Sequence, residues 1–345
     1  MHRPAAVALA LTCLMAGGTL TAVPAGAAAG TATAGTVTVY VDPSAPAGGN
    51  GLRRTNAVRT FVEAEKLLRS TRAVDATILT PGGTYYPDKE IKWTYDPPGG
   101  RFTFAAVPGT GEVVMDGSRA KAGYYMTISS PNSSFTVSGK TIKNYTNGGI
   151  RVRGMRGPGR VTIKNNLFQH LGNKSNPGGP GYGAVHVTDS ARLTITGNRF
   201  YNLENTEGPG EIHGVYLATR TSSTVIRGNR FGYITGDPVR TRNGSNNNTV
   251  DGNKFWRSGS YAVFSDWRPQ DKEVCGKGNV FKNNQVGRVT YFGKKFGSDT
   301  YGAHKVPVRL LLWGHHKPTA ANVGGCATRP ITNGGGNKYV TTRPW

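Results

Sequence analysis

Short alternations of apolar and polar residues recur through the middle of this 345-residue chain. Five units share a run with β-branched residues, a polar corner that contains Asn, and a closing Phe. The units are GRVTIKNNLF, ARLTITGNRF, STVIRGNRF, NNTVDGNKF and CGKGNVF, and they end at Phe168, Phe200, Phe231, Phe255 and Phe281. Alternation over so few positions is the periodicity of a strand, and the runs are too short for helices. The pattern therefore predicts an all-β chain of short strands.

The corner asparagines repeat at intervals that indicate a solenoid. They are Asn166, Asn198, Asn229, Asn253 and Asn279, separated by 32, 31, 24 and 26 residues. Periods of about 20–50 residues are typical of stacked arrays. One unit cannot bury a face alone, whereas stacked parallel coils bury a continuous core of Val, Ile and Phe. We therefore expect coils about 4.8 Å apart, with the asparagine amides forming a ladder along one corner.

The repeats and the segment before them resemble the pectate-lyase-like superfamily of right-handed parallel β-helices. The resemblance covers roughly residues 37–287, and TVTVYVDPSAPAGGNG followed by TFVEAEKLLRS looks like the strand, glycine-rich turn and capping helix of exported members. It implies a single-stranded right-handed parallel β-helix, a solenoid with a short N-terminal capping helix. It does not fix an activity, because this fold hosts lyases, hydrolases, epimerases, adhesins and phage spikes.

The predicted capping helix carries its own start signal. Thr60 and Glu63 form a T-x-x-E capping box, in which each side chain satisfies a backbone N–H at the helix start. Phe61, Leu67 and Leu68 are apolar positions on this helix. We expect these three side chains to cover the open end of the coil core.

The first 29 residues are typical of a secretory signal peptide. They contain His2 and Arg3, then the apolar run AAVALALTCLMAGG and the small-residue stretch VPAGAAAG, which suits cleavage. No later stretch is apolar for about 18 residues, so no membrane span is expected. The predicted organisation is a signal peptide at 1–29, a β-helix with its N-terminal cap at 30–287, and the last coil or coils with an irregular C-terminal cap at 288–345. We expect a secreted, extracellular monomer.

Cysteine usage agrees with export. Of three cysteines, Cys13 falls in the predicted leader, which leaves Cys275 and Cys326. An even pair in an exported chain indicates one disulfide. The alternative is two separate buried thiols.

The charge of the chain indicates an acidic partner. Lys and Arg number 42 against 19 Asp and Glu, which gives a formal charge of +23. The basic residues are spread along the chain, without zinc-finger spacing or heptads, so nucleic acid is not expected. A polyanionic sugar chain suits such a dispersed basic surface. The predicted partner is therefore an acidic polysaccharide.

The strands that follow the Phe units can be aligned in rows. The rows are GIRVR (149–153), AVHVT (184–188), GVYLA (214–218), PVRTR (238–242) and AVFSD (262–266). Their second residues are apolar and predict a buried column of Ile150, Val185, Val215, Val239 and Val263. Because strand side chains alternate, the third and fifth residues face outward. The first outward column contains Arg151, His186, Tyr216, Arg240 and Phe264. The second contains Arg153, Thr188, Ala218, Arg242 and Asp266. His213 and Asp237 lie just before their rows.

Two interpretations of the outward columns are open. Arginines about 5 Å apart along a column are unfavourable without an anion between them, which favours a cleft for an acidic chain. The alternative is a solvated basic sheet face on which Tyr216 and Phe264 are ordinary stacking aromatics. In a uronate polymer, an Arg fork holds the carboxylate and thereby acidifies the adjacent C5 proton. A base can then remove this proton, and β-elimination expels the 4-linked oxygen.

The residue types suggest roles in such an elimination. The predicted catalytic residues are Arg240, which neutralises the carboxylate, and His186 and Tyr216, which transfer protons, with His213 as the reserve base. The alternative for His186 is a side chain that only stacks between Arg151 and Tyr216. The predicted substrate-binding residues are Arg151, Arg153, Arg242, Phe264, His213, Asp237 and Asp266. Three of them have alternatives: His213 as a turn residue bonded to backbone, Asp237 as a turn cap, a partner of Arg240 or a calcium ligand, and Asp266 as a partner of Arg242.

Among the activities of this fold, the sequence favours a lyase. A C5-epimerase would remove the same proton and return it to the other face, and a binding protein would use charge alone. A glycoside hydrolase needs clustered carboxylates, of which the outward columns offer only Asp266, with Asp237 nearby. No cofactor is expected, with calcium as the alternative, because the acidic residues do not share a column. The predicted function is a secreted lyase of uronate polysaccharide, with an epimerase or a binding protein as alternatives.

Overall fold

Short strands dominate the computed structural model, which describes residues 36–120, 122–268, 273–302, 305–312 and 330–345. The described part also contains α1 (Phe61–Ser70) and 3-10 turns at Arg54–Asn56, Gly117–Arg119 and Pro209–Glu211. In chain order the strands are β1 (Val37–Tyr40), β2 (Asp75–Thr80), β3 (Gly83–Tyr85), β4 (Ile91–Trp93), β5 (Arg101–Ala106), β6 (Val113–Asp116), β7 (Met126–Ile128), β8 (Ser134–Ser138), β9 (Lys140–Lys143), β10 (Ile150–Arg153), β11 (Val161–Lys164), β12 (Leu167–Leu171), β13 (Gly183–Thr188), β14 (Thr194–Thr196), β15 (Arg199–Leu203), β16 (His213–Ala218), β17 (Val225–Arg227), β18 (Arg230–Ile234), β19 (Val239–Arg242), β20 (Thr249–Asp251), β21 (Lys254–Ser258), β22 (Phe264–Trp267), β23 (Asn279–Lys282), β24 (Gln285–Gly287), β25 (Thr300–Tyr301), β26 (Val306–Pro307), β27 (Leu311–Leu312), β28 (Ile331–Asn333) and β29 (Lys338–Val340).

These strands stack coil upon coil into three parallel sheets. Sheet 1 has the order β1-β2-β5-β8-β11-β14-β17-β20-β23-β28, sheet 2 the order β27-β22-β19-β16-β13-β10-β7-β4, and sheet 3 the order β29-β24-β21-β18-β15-β12-β9-β6-β3. A central coil thus contributes one strand to each sheet, and β25 and β26 form a separate antiparallel pair. The predicted all-β parallel β-helix is confirmed.

Two predicted columns of the core are present. On sheet 3, the rings of Phe168, Phe200, Phe231 and Phe255 stack with centroids 5.1, 4.7 and 4.8 Å apart. On sheet 2, the fully buried register partners are Ile150, Val185, Val215 and Val239. Each such side chain contributes about 1.5–3 kcal/mol by leaving water, and the stacking makes this core continuous from coil to coil.

The fifth row of the predicted alignment is wrong by one residue. Val239 pairs with Phe264 instead of Val263, and Arg240 pairs with Ser265. Because side chains alternate along a strand, a slip of one residue exchanges inward and outward positions. Phe264 is therefore a fully buried member of the core column, and Val263, directly before the strand, is buried as predicted but outside that column. Burying its ring removes more apolar surface from water than an outward placement would allow.

Buried asparagines form the predicted ladder at the corner between sheets 1 and 3. The backbone N–H of each member donates to the side-chain oxygen of the next at 2.9–3.0 Å, in the order Asn166, Asn198, Asn229 and Asn253. The side-chain amides also donate along the ladder and to carbonyls of the preceding coil. These bonds satisfy polar groups that the fold buries at every turn.

The last member of the ladder differs from the prediction. Asn253 donates to Asn284 at 2.8 Å, and Asn279 instead accepts from Asn248 at 3.0 Å, in a second ladder. Phe281, the closing residue of the fifth unit, is correspondingly the register partner of Val250 on sheet 1. The unit CGKGNVF has the spacing of the Phe repeat but belongs to a strand of another sheet.

The capping helix follows its predicted signals. The Glu63 backbone N–H donates to Thr60 Oγ1 at 3.1 Å, and the Thr60 N–H donates to Glu63 Oε2 at 2.9 Å. Phe61 and Leu68 are buried in the core cluster, and Leu67 packs against it. The capping box and the cover over the coil core are therefore confirmed.

The end of the chain adds one further strand to each sheet, through β27, β28 and β29. The final residues then pack on sheet 3, where Lys254 Nζ donates to the carbonyl of Pro344 at 2.7 Å. Cys326 lies outside the described residues, so its disulfide with Cys275 stays a prediction. The signal peptide at 1–29 is also outside the described residues and stays a prediction.

Candidate functional site

One outward column of sheet 2 contains four of the predicted site residues. Strand register aligns Arg151 with His186, His186 with Tyr216, and Tyr216 with Arg240. The full column is Lys92, Thr127, Arg151, His186, Tyr216, Arg240 and Ser265. The alternation of the rows therefore placed these side chains on a common face.

A groove of about 930 Å³ opens over only part of this column. Arg151, Arg153 and His186 line it, whereas Tyr216 and Arg240 do not. The remaining groove residues are Tyr124, Ser129, Asn147, Gly154, Tyr182, Thr188, Asp189 and Thr219. The predicted site thus divides into an open groove and a more enclosed cluster beside it.

His186 is held in the groove by aromatic side chains. Its ring stacks between Tyr182 and Tyr216, with centroids 5.2 and 5.0 Å away. Its Nδ1 lies 2.7 Å from the hydroxyl of Tyr124. Burial, followed by the positive charges of Arg151 and Arg153, lowers the pKa of His186 to about 3. The imidazole is therefore neutral at neutral pH and has a hydroxyl group at hydrogen-bond distance.

Sequence reasoning missed Tyr124 and Tyr182, although the sequence contains a signal for Tyr124. Met126 of β7 is the register partner of Ile150, so the aligned rows extend one coil further towards the N-terminus. Tyr124 then occupies the position directly before its row, which His213 occupies in a later coil. Tyr182 lies at the end of the loop before β13, where the repeat gives no register.

The arginines of the column are neutralised by the protein itself, which corrects the expectation that an external anion must separate them. Arg151 pairs with Glu90 at 3.1 Å, Arg240 with Asp237 at 3.1 Å, and Arg242 with Glu273 at 2.6 Å. Glu90 and Glu273 come from segments outside the aligned rows. The predicted alternative pairing of Asp266 with Arg242 is wrong, because Glu273 occupies that position.

Asp237 anchors the enclosed cluster. Its Oδ1 accepts from the backbone N–H groups of residues 260, 261 and 262 at 3.0–3.2 Å. Its Oδ2 accepts from Ser265 Oγ at 2.7 Å, Arg240 Nη2 at 3.1 Å and Trp267 Nε1 at 3.2 Å. Asp237 is fully buried, so its hydrogen bonds stabilise a charge that would otherwise be costly there. Asp237 thus orients Arg240, as one of its predicted alternatives required.

Arg240 is largely enclosed. Its guanidinium lies 4.6 Å from the centre of the Trp267 ring, and 13% of its side chain is exposed. It faces Asp237 and Trp267. The Tyr216 hydroxyl accepts a hydrogen bond from Arg242 Nη1, at 3.4 Å. Arg240, the residue predicted to neutralise a substrate carboxylate, is already paired with the carboxylate of Asp237.

His213 adopts its predicted structural alternative. Its Nδ1 lies 2.7 Å from the carbonyl oxygen of Asp237, to which it donates when protonated. Burial and the nearby charge of Arg240 hold the pKa of His213 well below its usual range. Its ring lies 5.1 Å from that of Tyr216, so it supports the aromatic stack from inside the fold.

Phe264 and Asp266, both predicted to face outward, point into the fold. The register shift in β22 places both in buried positions. Asp266 accepts from Thr241 Oγ1 at 2.6 Å and from the Gly276 N–H at 3.1 Å. Burial raises the pKa of Asp266 to about 6. Neither side chain reaches the groove, so neither is available to a polymer there.

Arg153 is the uncompensated cation of the groove. Its side chain is exposed, and among the described residues no carboxylate lies within ion-pair distance of it. Thr188 is its partner on the next coil. Arg153 is therefore able to bind an external carboxylate without losing an internal one.

Within the ranges given above, no group of three His, Cys, Asp or Glu side chains is arranged to hold a metal ion. The described helices include none that is long and apolar enough to span a bilayer.

A comparison with protein-family models agrees with the architecture. The family model described as "right handed beta helix region" matches residues 107–295, more than half of the chain. The crystal structure of pectate lyase Pel9A matches with a TM-score of 0.48 and 16% sequence identity, over 84% of this chain and 81% of the other. A comparison with curated proteins found no match.

Proposed function

The chain belongs to the right-handed β-helix family, and we propose that its groove binds an acidic, uronate-containing polysaccharide and cleaves it by β-elimination. One observation carries this proposal: a neutral histidine, hydrogen-bonded to a tyrosine, lies beside an arginine that no carboxylate of the described chain neutralises. A base and a free guanidinium are the two groups that this elimination needs. The exposed Tyr182, stacked on His186, adds a surface for a sugar ring.

In the proposed reaction, Arg153 binds the uronate carboxylate and so acidifies the C5 proton. His186 takes that proton, for which it must be the tautomer that donates Nδ1–H to Tyr124 and leaves Nε2 with a lone pair. The electron pair of the C5–H bond forms the C4–C5 double bond, and the C4–O bond breaks towards the leaving sugar. A hydroxyl proton from Tyr124 or Tyr216, or from water, neutralises the departing oxygen. No co-reactant is required.

The low pKa of His186 fits such a role once substrate charge is considered. A base with a pKa of about 3 is weak, and efficient proton transfer favours a pKa near the working pH. Burial is the main cause of this low pKa, and the positive charges of Arg151 and Arg153 lower it further. A substrate carboxylate bound to Arg153 would offset the charge of that arginine and so raise the pKa of His186 in the complex.

Arg153 is assigned to the carboxylate in preference to Arg240 on physical grounds. Recruiting Arg240 would require breaking its contact with the fully buried Asp237, and an uncompensated buried charge costs about 3–5 kcal/mol. Arg240, Asp237 and His213 are accordingly positioning residues, which support Tyr216 and the strand beneath the groove.

A glycoside hydrolase is disfavoured by the same geometry. Its two carboxyl groups must flank the sugar in the open site. Asp237 and Asp266 are fully buried and bonded to groups of the fold. Asp189 lines the groove but pairs with Arg156 at 2.6 Å.

The test is incubation of the protein with polygalacturonate, alginate and other uronate polymers, followed by ultraviolet absorbance of the unsaturated product. A lyase produces a rise in absorbance, and Arg153→Gln reduces kcat/KM. Lys66→Gln, an exposed cation on α1, is the matched control and keeps the wild-type rate. Exchange of the C5 proton with solvent deuterium without absorbance would mean an epimerase. Binding with neither signal would overturn the catalytic proposal.

A further inference from the structure

A second basic surface lies on the corner between sheets 1 and 3, away from the groove on sheet 2. The first outward residues of successive strands in sheet 3 are register partners: Arg199 with Arg230, Arg230 with Lys254, and Lys254 with Gln285, which pairs with Lys338. Across the asparagine corner, three strands of sheet 1 end in further cations, Lys164, Arg227 and Lys282, and the strands between them end in Thr196 and Asp251. We call this surface the corner ridge; its cations are Lys164, Arg199, Arg227, Arg230, Lys254, Lys282 and Lys338.

The corner ridge has little internal compensation. Asp251 is the one described carboxylate that pairs with it, at 3.3 Å from Arg227. Lys254 donates to the neutral carbonyl of Pro344. Arg199, Arg230 and Lys338 are exposed and form no ion pair or side-chain hydrogen bond with the described residues. Adjacent members lie about 4.8 Å apart along the coil axis, so like charges face each other at short range.

We propose that the corner ridge binds a second stretch of acidic polysaccharide and holds the polymer on the protein while the groove acts. The identity of the polymer rests on the proposed function. The existence of the surface rests on the register of its cations alone. A linear chain with one carboxylate on each sugar ring presents a row of anions to a row of cations. Such binding is mainly electrostatic and falls with salt.

Nucleic acid suits the corner ridge less well. Non-specific single-strand binding combines a basic track with free aromatic faces for the bases. Tyr201, in the neighbouring outward column, is instead covered by the C-terminal residues, with the Trp345 ring 6.1 Å away and the Arg343 guanidinium 5.4 Å away.

The experiment measures affinity for polygalacturonate and alginate at several salt concentrations, by electrophoresis through gels that contain the polymer. The ridge variant is Arg199→Gln/Arg230→Gln/Lys338→Gln. The control variant removes three exposed cations around α1, Arg53→Gln/Arg59→Gln/Lys66→Gln, and so has the same net charge. Near 0.15 M salt, affinity of the ridge variant should fall about tenfold, with a shallower salt dependence, and the control should stay near wild type.

Three results would overturn the inference. Equal losses in the two variants would show that net charge alone attracts the polymer. Failure of the wild-type protein to bind either polymer would remove the partner. Binding of random-sequence duplex DNA as tightly as the polymers would assign the ridge to another polyanion. The affinities are compared with His186→Gln present in every protein, so that the proposed reaction does not consume the polymer in the gel. An inactive groove in the wild type would refute the proposed function and leave this comparison intact.

Discussion

Cations line two surfaces of this β-helix, and the chain compensates them in opposite ways. On sheet 2, Arg151, Arg240 and Arg242 each hold a carboxylate of the same chain. On the corner ridge, Arg199 and Arg230 are exposed register partners without a carboxylate among the described residues. Both rows have the same spacing, because both follow the stacking of the coils.

Burial explains the difference. Two like charges about 5 Å apart repel by about 0.8 kcal/mol in water but by about 3 kcal/mol at the effective dielectric of a protein surface. The enclosed column therefore needs Glu90, Asp237 and Glu273, whereas the ridge is stabilised by water and counterions. A compensated cation fixes the geometry of the fold, and an uncompensated one remains available to a partner. By this criterion Arg153 belongs functionally with the ridge cations, although it lies in the groove.

The largest stability effect is expected at the carboxylate that anchors the enclosed cluster. Asp237→Ala leaves Arg240 buried without its partner and removes the acceptor of three backbone N–H groups. Unfolding free energy should fall by about 3–5 kcal/mol. Asp189→Ala is the control, since Asp189 is 40% exposed in its ion pairs and should cost at most about 1 kcal/mol. Urea denaturation measures both, and equal losses would remove the distinction between enclosed and exposed pairs.

A smaller effect is expected from acid. The pKa of His186 is about 3 in the folded protein and about 6.5 when unfolded. Between these values only the unfolded chain binds the proton, so the stability contributed by the neutral histidine is complete above pH 6.5 and is lost as pH falls towards 3. From pH 7 to 5 this costs about 2 kcal/mol. Urea denaturation at both pH values should therefore show a smaller loss for His186→Gln than for wild type; equal losses would contradict the burial of a neutral imidazole.

The smallest effects compare one arginine from each surface. Arg242→Gln leaves the mostly buried Glu273 without its cation and should destabilise by about 1–3 kcal/mol. Arg230→Gln on the ridge relieves repulsion from Arg199 and Lys254 and should change stability by at most about 0.5 kcal/mol, with stabilisation as the expected sign. Thermal unfolding at low salt separates the two. A destabilising ridge substitution would mean that the ridge is compensated after all.

The repeat could be predicted from the sequence because its signals are local. Alternation over a few residues, an asparagine corner and a closing Phe specify the strand, the turn and the core side chain. The prediction failed at AVFSD and CGKGNVF, where loops of different length precede the strands. In AVFSD a shift by one residue leaves a similar local pattern, and the burial of Phe264 decides the register. In CGKGNVF the same local pattern fits a strand of either sheet, and the hydrogen bonds of Asn284 decide between them.

The candidate site could be predicted only in part. The column of Arg151, His186, Tyr216 and Arg240 follows from alternation alone. Its partners do not: Glu90 lies 61 residues from Arg151 and Glu273 lies 31 residues from Arg242, at positions outside the repeat. Sequence reasoning therefore counted the arginines as free cations, and only the three-dimensional pairing separates Arg153 from the others.

The central claim is that proton transfer occurs in the groove at His186, and the initial rate of unsaturated product formation by His186→Gln tests it most directly. The rate should fall about 10²–10⁴-fold relative to wild type, at a pH and temperature where both proteins are folded. His170→Gln, which changes an exposed histidine on sheet 3, should keep the wild-type rate. An active wild-type protein whose rate survives His186→Gln within about threefold would contradict the claim and place the chemistry elsewhere on the coil stack.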